Sequence, residues 1–471
     1  MNWSLLSVEL VVCGWILIML VADLFVSAKG RSSLWFLALT GIFVASLLMP
    51  SATYPAVGDW CQRMWTVDSF AIFFKGLFLL TVAVVIITTR AFAGHFSGHL
   101  GAFYMLLFTA LLGMLTLASI NDLLMLFLGL ELLTFSLYVM AAYLKTDSRS
   151  VEAGMKYLIL GSVSSGFLVY GIALLYGFAG STSFSALRTA LATGNVPLTA
   201  QAGLLLLMAG LGFKIAAVPF QLWVPDVYEG APTPVVALLS VGSKTAGIVA
   251  ILRVLYGVFL PLAHVWTSIL AVMAAATMLY GNLAAIPQTN IKRLLGYSSI
   301  GHAGYLLMGL STGSFSGAVG VGYYLLAYLF SNLTVFLVVV SASDAIGGDA
   351  LEAYSGLSKR SPMLAAAMFI GLLSLAGVPP LAGFIGKFFV LLATVESQRL
   401  WLVFIGAVNV AISLYYYLMI VKRMYLDAPR TTSPIPVDLL TRTVLAVLVL
   451  GILAIGVFQQ PFLQRVSLAL R

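Results

Sequence analysis

Charge is scarce in this chain. Asp, Glu, Lys and Arg make up 8% of its 471 residues, against about a quarter in soluble domains, which excludes a soluble fold. Cysteine is scarcer still. Cys13 and Cys61 stand far apart and form no CxxC pair, so they cannot assemble an iron–sulfur, haem-attachment or zinc site. No phosphate-binding glycine loop, metal-ligand cluster or flavin fingerprint occurs. The chain therefore cannot couple ATP or redox chemistry unaided. It either exchanges one ion for another or is driven by a partner. The net charge of +8 does not point to nucleic acid, because the basic residues stand singly or in pairs without a dense patch.

Apolar residues fill the rest, at 61% of the chain. They form runs of about twenty residues, each long enough to cross a hydrocarbon core of roughly 30 Å as a helix. Lipid leaves only helices and closed barrels as spanning structures. Runs such as Phe78–Thr88 are apolar nearly all round, without the alternation of a barrel strand. The expected fold is thus an all-α polytopic membrane protein. About fourteen spans are predicted, near 5–25, 32–50, 68–89, 99–119, 122–143, 151–178, 198–219, 234–258, 262–285, 295–312, 316–342, 362–396, 401–424 and 440–461. The first, lacking a basic flank and a small-residue cleavage site, reads as a retained span.

Orientation follows from the Lys/Arg bias of short loops. Loops after odd-numbered spans hold Lys29, Arg31, Arg90, Lys145, Arg149, Lys292, Arg293, Lys359, Arg360, Lys422, Arg423 and Arg430. Loops after even-numbered spans hold only Arg63, Arg188 and Arg399. The first set is predicted cytoplasmic and both termini periplasmic. Arg465 and Arg471 run against the rule without outweighing it.

Two spans are interrupted alike. LGFKIAAVPFQLWVP begins at Leu211 and LAGVPPLAGFIGKF begins at Leu375, each with a Gly/Pro break and one lysine. Proline removes a backbone donor and clashes with the preceding turn. In lipid such a break survives only inside protein or beside a wet cavity. Paired breaks point to two repeats with sites at the breaks, rather than to ordinary proline kinks.

Four ionisable residues lie deep within spans: Glu131, Lys214, Lys244 and Lys387. A charge at the membrane centre costs about 2.5–3.5 kcal/mol, so four cost roughly 10–14 kcal/mol unless paired or hydrated. Lysine and glutamate at such depth suit proton transfer, since burial and a nearby carboxylate pull a lysine's proton affinity in opposite directions. Lys75, Lys156 and Arg253 lie nearer span ends and read as snorkelling. His302 reads either as a proton relay between Lys244 and Lys387 or as a satisfied polar residue in helix packing. Tyr323, Tyr324 and Tyr328 can line a water chain or simply pack. His95, His99 and His264 lie near loops and carry little information. In the turn-rich connector from Trp223 to Pro234, Asp226 and Glu229 read as caps of the broken span's cytoplasmic end in preference to a direct role in proton uptake.

The segments LFLGLELLTFSLYVMAAY, LGFKIAAVPFQLWVPDVYEGAPTPV, NIKRLLGYSSIGHAGYLLMG and SLAGVPPLAGFIGKF carry a resemblance over nearly the whole chain. It resembles the antiporter-like subunits of respiratory complex I, the proton-translocating NADH-quinone oxidoreductase, which share a fold with multisubunit sodium/proton antiporters. The DVYEGAP connector is similar to the DVYQGAP of the subunit N branch. Lys387 and a C-terminus without the long lateral helix of the largest relative agree with that branch.

The resemblance implies fourteen helices with two inverted five-helix repeats, divided as N-terminal helices 1–98, first repeat 99–258, inverted second repeat 262–424 and C-terminal helix 425–471. It implies Glu131 and Lys214 as a first half-channel pair, Lys244 as the connecting lysine, Lys387 as the terminal lysine and His302 as a relay. It implies a place in the bacterial inner membrane beside sister antiporter-like subunits and a peripheral arm. FMN, iron–sulfur clusters and quinone would belong to partner subunits, with no cofactor in this chain. The rival expectations are a subunit of a sodium/proton antiporter or membrane-bound hydrogenase, and a scaffold that pumps nothing.

Overall fold

The computed structural model describes residues 6–26, 33–49, 63–96, 99–194, 196–429, 431 and 433–471. Cys61, Lys29, Arg31 and Arg430 lie outside them. The described chain is helical, and its β-type pairings are three isolated bridges, Trp65 to Ile120, Asp122 to Ser183 and Asn290 to Ala350. In order the helices are α1 (Ser7–Phe25), α2 (Leu34–Leu47), α3 (Ser69–Ala91), α4 (Leu100–Ser119), α5 (Leu123–Ala141), α6 (Ser148–Ala179), α7 (Phe184–Ala192), α8 (Leu198–Ile215) and α9 (Trp223–Gly230). α10 follows as Thr233–Tyr256. Then come α11 (Ala263–Ala285), α12 (Ile291–Ser311), α13 (Phe315–Ile346), α14 (Pro362–Ala376), α15 (Ala382–Glu396), α16 (Leu400–Tyr425), α17 (Leu439–Val457) and α18 (Gln459–Leu470).

The scarce polar residues that bound these helices are used at their ends. Asp68 accepts from Ala71 N at 2.8 Å, Asp122 from Leu124 N at 2.7 Å, and Asn290 from Lys292 N and Arg293 N at 2.9 and 3.1 Å. Each satisfies amides that a helix start leaves without partners. Gly180 and Gly347 close α6 and α13 in the left-handed region, where glycine carries no Cβ penalty.

Eleven described helices are long and apolar enough to cross a membrane. α2 has only 14 residues, and α14 and α15 have 15 each on either side of a break. α12 has 21 residues but is more polar, with Lys292, Arg293 and His302 in it. The eleven thus fall short of the fourteen predicted spans because the remainder are short, interrupted or polar. Three short helices escaped the sequence reading, and one of them, α9, occupies the turn-rich connector. α7 links α6 to α8, and α18 follows α17.

α10 runs through the middle of the protein, buried along its length. Its hydrogen bonding slips into π turns at Leu239–Ser243 and Leu252–Tyr256. Such turns concentrate at functional sites, and the first ends immediately before Lys244. α11 and α12 pack so closely that a Cβ on Gly281 would fall 2.4 Å from Gly301 N, and one on Gly304 2.7 Å from Met278 N. Small residues permit this approach in membranes, and it fixes the α12 face that carries Ser299 and His302.

Candidate proton-relay site

Lys214 stands in the last turn of α8, where the helix stops. Ala216 has φ of 62°, and Val218–Pro219 is cis. The freed backbone groups find protein partners. Trp223 Nε1 donates to Phe213 O at 3.2 Å, and Val218 N donates to Thr277 Oγ1 at 3.0 Å. The break therefore sits inside protein, as lipid requires. Lys214 Nζ donates to Thr134 Oγ1 at 2.9 Å and is 4% exposed.

Glu131, half-buried on α5, accepts from Ser165 Oγ at 2.5 Å. Glu131, Thr134, Ser165 and Lys214 line one cavity of about 20 Å³. That suffices for about one water molecule. No ion pair within 4 Å joins Glu131 to Lys214 among the described residues, yet the carboxylate's charge acts on the ammonium.

Lys244 lies one turn from Gly247, and Gly247 lies against Lys214. A Cβ there would meet Ile215 Cγ2 at 2.7 Å and Lys214 Cγ at 3.2 Å. Lys244 Nζ donates to both the hydroxyl and the carbonyl of Ser299. Tyr228 Oη meets the same hydroxyl at 3.0 Å. Ser240, in the π turn, bonds Tyr328 Oη at 3.0 Å and accepts from Asn332 Nδ2 at 2.5 Å. The hydroxyls of Ser243 and Thr245, which flank Lys244, are buried without a hydrogen-bond partner within 3.5 Å among the described residues.

His302 follows Ser299 by three residues, which places both on one face of α12. Its Nδ1 meets Tyr324 Oη at 2.6 Å and its Nε2 meets Tyr417 Oη at 3.1 Å. Tyr417 in turn bonds Ser298. The charges of Lys387 and Lys244 both act on the imidazole. His302, Tyr324, Tyr328, Ser331 and Ser374 line a second cavity of about 10 Å³, at the lower limit for a water.

Lys387 is the counterpart of Lys214 at the second break. α14 ends at Gly377, with φ of 88°, and Pro379–Pro380 is cis. Lys387 reaches back over the gap, and its Nζ donates to Ala376 O at 2.9 Å. That carbonyl belongs to the C-terminal end of α14, where orphan acceptors and the helix dipole favour a cation. The ammonium also lies 4.9 Å from the Tyr305 ring centroid. Ser374 holds the break by accepting from Gly383 N at 3.1 Å and bonding Ser331 at 2.7 Å.

The five candidates thus lie buried or half-buried in one row interleaved with hydroxyls. No direct hydrogen bond joins Lys214 to Lys244, Lys244 to His302, or His302 to Lys387 among the described residues. Among those residues no cluster of three or more His, Cys, Asp or Glu could hold a metal.

Two snorkelling expectations, for Lys75 and Arg253, are corrected, while Lys156 keeps its head half-exposed at the span end. Lys75 is fully buried and pairs with Glu9 at 2.7 Å. Arg253 grips Asp68 with two bonds of 2.5 and 2.6 Å, and also donates to Ala118 O. Lys156 pairs with Glu152 and Asp226, both at 2.7 Å. Each charge lies within reach of an acid on another segment, which a single-span reading cannot see. The capping role of Asp226 and Glu229 is also wrong. Both lie within α9 and hold Arg293 at 2.7 and 2.9 Å. Burial pushes the Asp226 carboxyl up, but hydrogen bonds and charge from Lys156 and Arg293 outweigh it and hold it below the usual carboxylate range.

The tyrosines divide. Tyr324 and Tyr328 join the polar row, while Tyr323 donates to Ile455 O at 2.5 Å and serves packing. Sequence reading missed Tyr417, Ser298, Ser299 and Asn332, which are ordinary residues until the fold gathers them. It also missed Glu9, an acid inside an apolar run that carried the same signal as Glu131.

Residues 120–413 match the family described as NADH:quinone oxidoreductase/Mrp antiporter, transmembrane. NADH-quinone oxidoreductase subunit N of Desulforamulus reducens is 39% identical over 469 residues, covering 99% of this chain and 98% of that protein. A chain of respiratory complex I from Thermus thermophilus, solved with bound aureothin, superposes with a TM-score of 0.82 at 32% identity, covering 97% of this chain and 98% of that one. A chain of the Mrp complex from Dietzia sp. DQ12-45-1b superposes with a TM-score of 0.85 at 20% identity, covering 100% and 97%, which establishes the shared fold alone. The chain belongs to the NADH-quinone oxidoreductase subunit N family, within the wider NADH:quinone oxidoreductase/Mrp antiporter family.

Proposed function

We propose that this chain is a proton-translocating subunit in the membrane arm of a bacterial NADH-quinone oxidoreductase. The carrying observation is the row of buried lysines, each no more than 4% exposed, two of them beside helix breaks. Glu131 and Lys214 load a proton through their shared cavity. Lys244 receives it across the α8–α10 contact and passes it along Ser299 and the tyrosines to His302. Lys387 holds it at the second break until release. Hydroxyls orient water between these stations, and burial denies the proton any other path. Changing the separation of Glu131 and Lys214 changes how tightly the lysine holds its proton.

The driving energy comes from outside the chain. FMN, iron–sulfur clusters and quinone reside in partner subunits, and sister antiporter-like subunits flank this one. Moving one charge against the membrane potential requires about 2.3 kcal/mol per 100 mV, supplied by quinone reduction elsewhere in the complex. The paired breaks support two inverted repeats, 99–258 and 262–424, within about fourteen spans. The loop bias supports an inner-membrane orientation with both termini periplasmic.

Pumping by the assembled complex in sealed vesicles tests this. Glu131→Gln and Lys214→Ala should each depress proton uptake coupled to NADH oxidation, with assembly intact. Undiminished pumping in both refutes the relay. The matching family joins NADH:quinone oxidoreductase with Mrp antiporter chains, so sodium/proton antiport is the second reading. It requires that transport by the same vesicles depend on sodium.

A further inference from the structure

α4, α5 and α6 diverge at one end of the bundle and leave a cleft of about 910 Å³. Met105, Phe135, Val139, Met155 and Leu158 line it. Phe135, Val139 and Met155 are each more than half exposed, so the cleft opens sideways into the surrounding hydrocarbon. Along α6 it runs from Val151 to Leu158, about 11 Å at 1.5 Å per residue. That is less than half of a hydrocarbon core of roughly 30 Å. A neighbouring transmembrane helix would need a groove along the whole span. One acyl chain needs a groove within a single leaflet.

The cleft's ionisable side chains lie at its outer end: His95, His99 and Lys145. Lys145 is exposed and has no carboxylate partner among the described residues. Tyr143 Oη donates to His99 O at 2.6 Å and secures this rim. Opposite charge reaches the rim from α13, where Asp344 meets His95 at 3.3 Å, and from α1, where the Asp23 carboxylate acts on Tyr143; among the described residues neither forms an ion pair with Lys145. An apolar slot of one-leaflet depth under an unneutralised cation complements a molecule with a long hydrocarbon tail and an anionic head. At the inner wall stands Tyr138, which also lines the Glu131–Lys214 cavity. Its buried hydroxyl has no hydrogen-bond partner among the described residues and faces Gly161.

We propose that this cleft binds one acyl chain of an anionic phospholipid whose phosphate pairs with Lys145. The site stands on its own geometry, whether or not Glu131 carries protons. The test uses the assembled complex in phosphatidylcholine nanodiscs doped with a phosphatidylglycerol probe bearing a diazirine in one acyl chain. After photolysis, mass spectrometry of peptides should find adducts at Val139, Met155 or Leu158. Their yield should be about fivefold above that of the matched phosphatidylcholine probe, the selectivity one interfacial lysine supplies. Lys145→Glu, in an exposed loop, should abolish that preference. Met155→Trp should fill the slot and lower labelling by both probes. Equal labelling by the two probes in the unmodified complex overturns the proposal, as does labelling indifferent to both substitutions. Absence of adducts from either probe at all three residues also overturns it.

Discussion

Breaking the Glu9–Lys75 pair should undock the N-terminal helix. The pair spans α1 and α3 at 2.7 Å, with Lys75 at 0% and the Glu9 side chain at 6% exposure. Neither group has another hydrogen-bonding partner among the described residues, and the Lys75 ammonium lies 5.5 Å from the Trp65 ring centroid. α1 otherwise fully buries only Val8, Val12 and Met19, with Trp15 Nε1 donating to Leu37 O of α2 at 2.9 Å. Lipid tails provide no hydrophobic drive for helix association, so the polar contact carries an unusual share of the docking. Removing one member of a buried pair costs about 3–5 kcal/mol, because the other is left charged and alone. Each 1.4 kcal/mol is a factor of ten. Lys75→Met or Glu9→Leu should therefore speed hydrogen exchange of α1 amides by about a hundredfold to a few thousandfold. The double variant, with both charges replaced by apolar groups, should return close to the starting rate. Exchange changed less than about threefold by either single variant would refute the reasoning. A double variant as fast as the single ones would also refute it.

Three further outcomes follow from the site. Gly377→Ala forces a Cβ into the left-handed region at about 1–2 kcal/mol and 3.0 Å from Lys387 Cδ. It should lower both thermal stability and pumping, whereas Gly166→Ala, which meets nothing within 4 Å, should change neither. Tyr417→Phe removes the hydroxyl joining Ser298 to His302. It should slow NADH-driven pumping without reducing the amount of complex assembled, and an unchanged rate would take Tyr417 out of the path. Asp226→Asn tests the connector network by melting temperature against pH. The native carboxyl is held below its ordinary value of about 3.9, so its contribution is full above that pH and is lost as pH falls through the depressed native value. The gap in melting temperature between the two proteins should be constant from pH 5 to 8 and close below about pH 4. A gap that widens on acidification would contradict the assignment.

Much of the fold was legible because lipid imposes simple rules. Apolar runs of spanning length marked most helices, and Gly/Pro clusters with a lysine marked both breaks. Glu131, Lys214, Lys244 and Lys387 stood out because charge at such depth is costly. What stayed hidden was tertiary. Lys75, Lys156 and Arg253 look alike in sequence, and only the fold reveals an acid beside each. Asp226 and Glu229 resemble caps because they fall among turn-formers, yet the chain returns Arg293 to them from 64 or more residues away. The π turn before Lys244 stayed hidden because LSVGS reads only as a weakly helical stretch within an apolar span, with nothing that separates a π turn from an α turn. Serine and tyrosine hydroxyls gain meaning only when α10, α12, α13 and α16 bring them round His302.

The central claim is that Lys214, Lys244, His302 and Lys387 form one proton path. A map of the assembled complex at a resolution that shows ordered water tests it most directly. Waters should bridge Lys214 to Lys244 and His302 to Lys387 in at least one state of turnover. A dry, side-chain-filled gap at either place in every state would contradict the path.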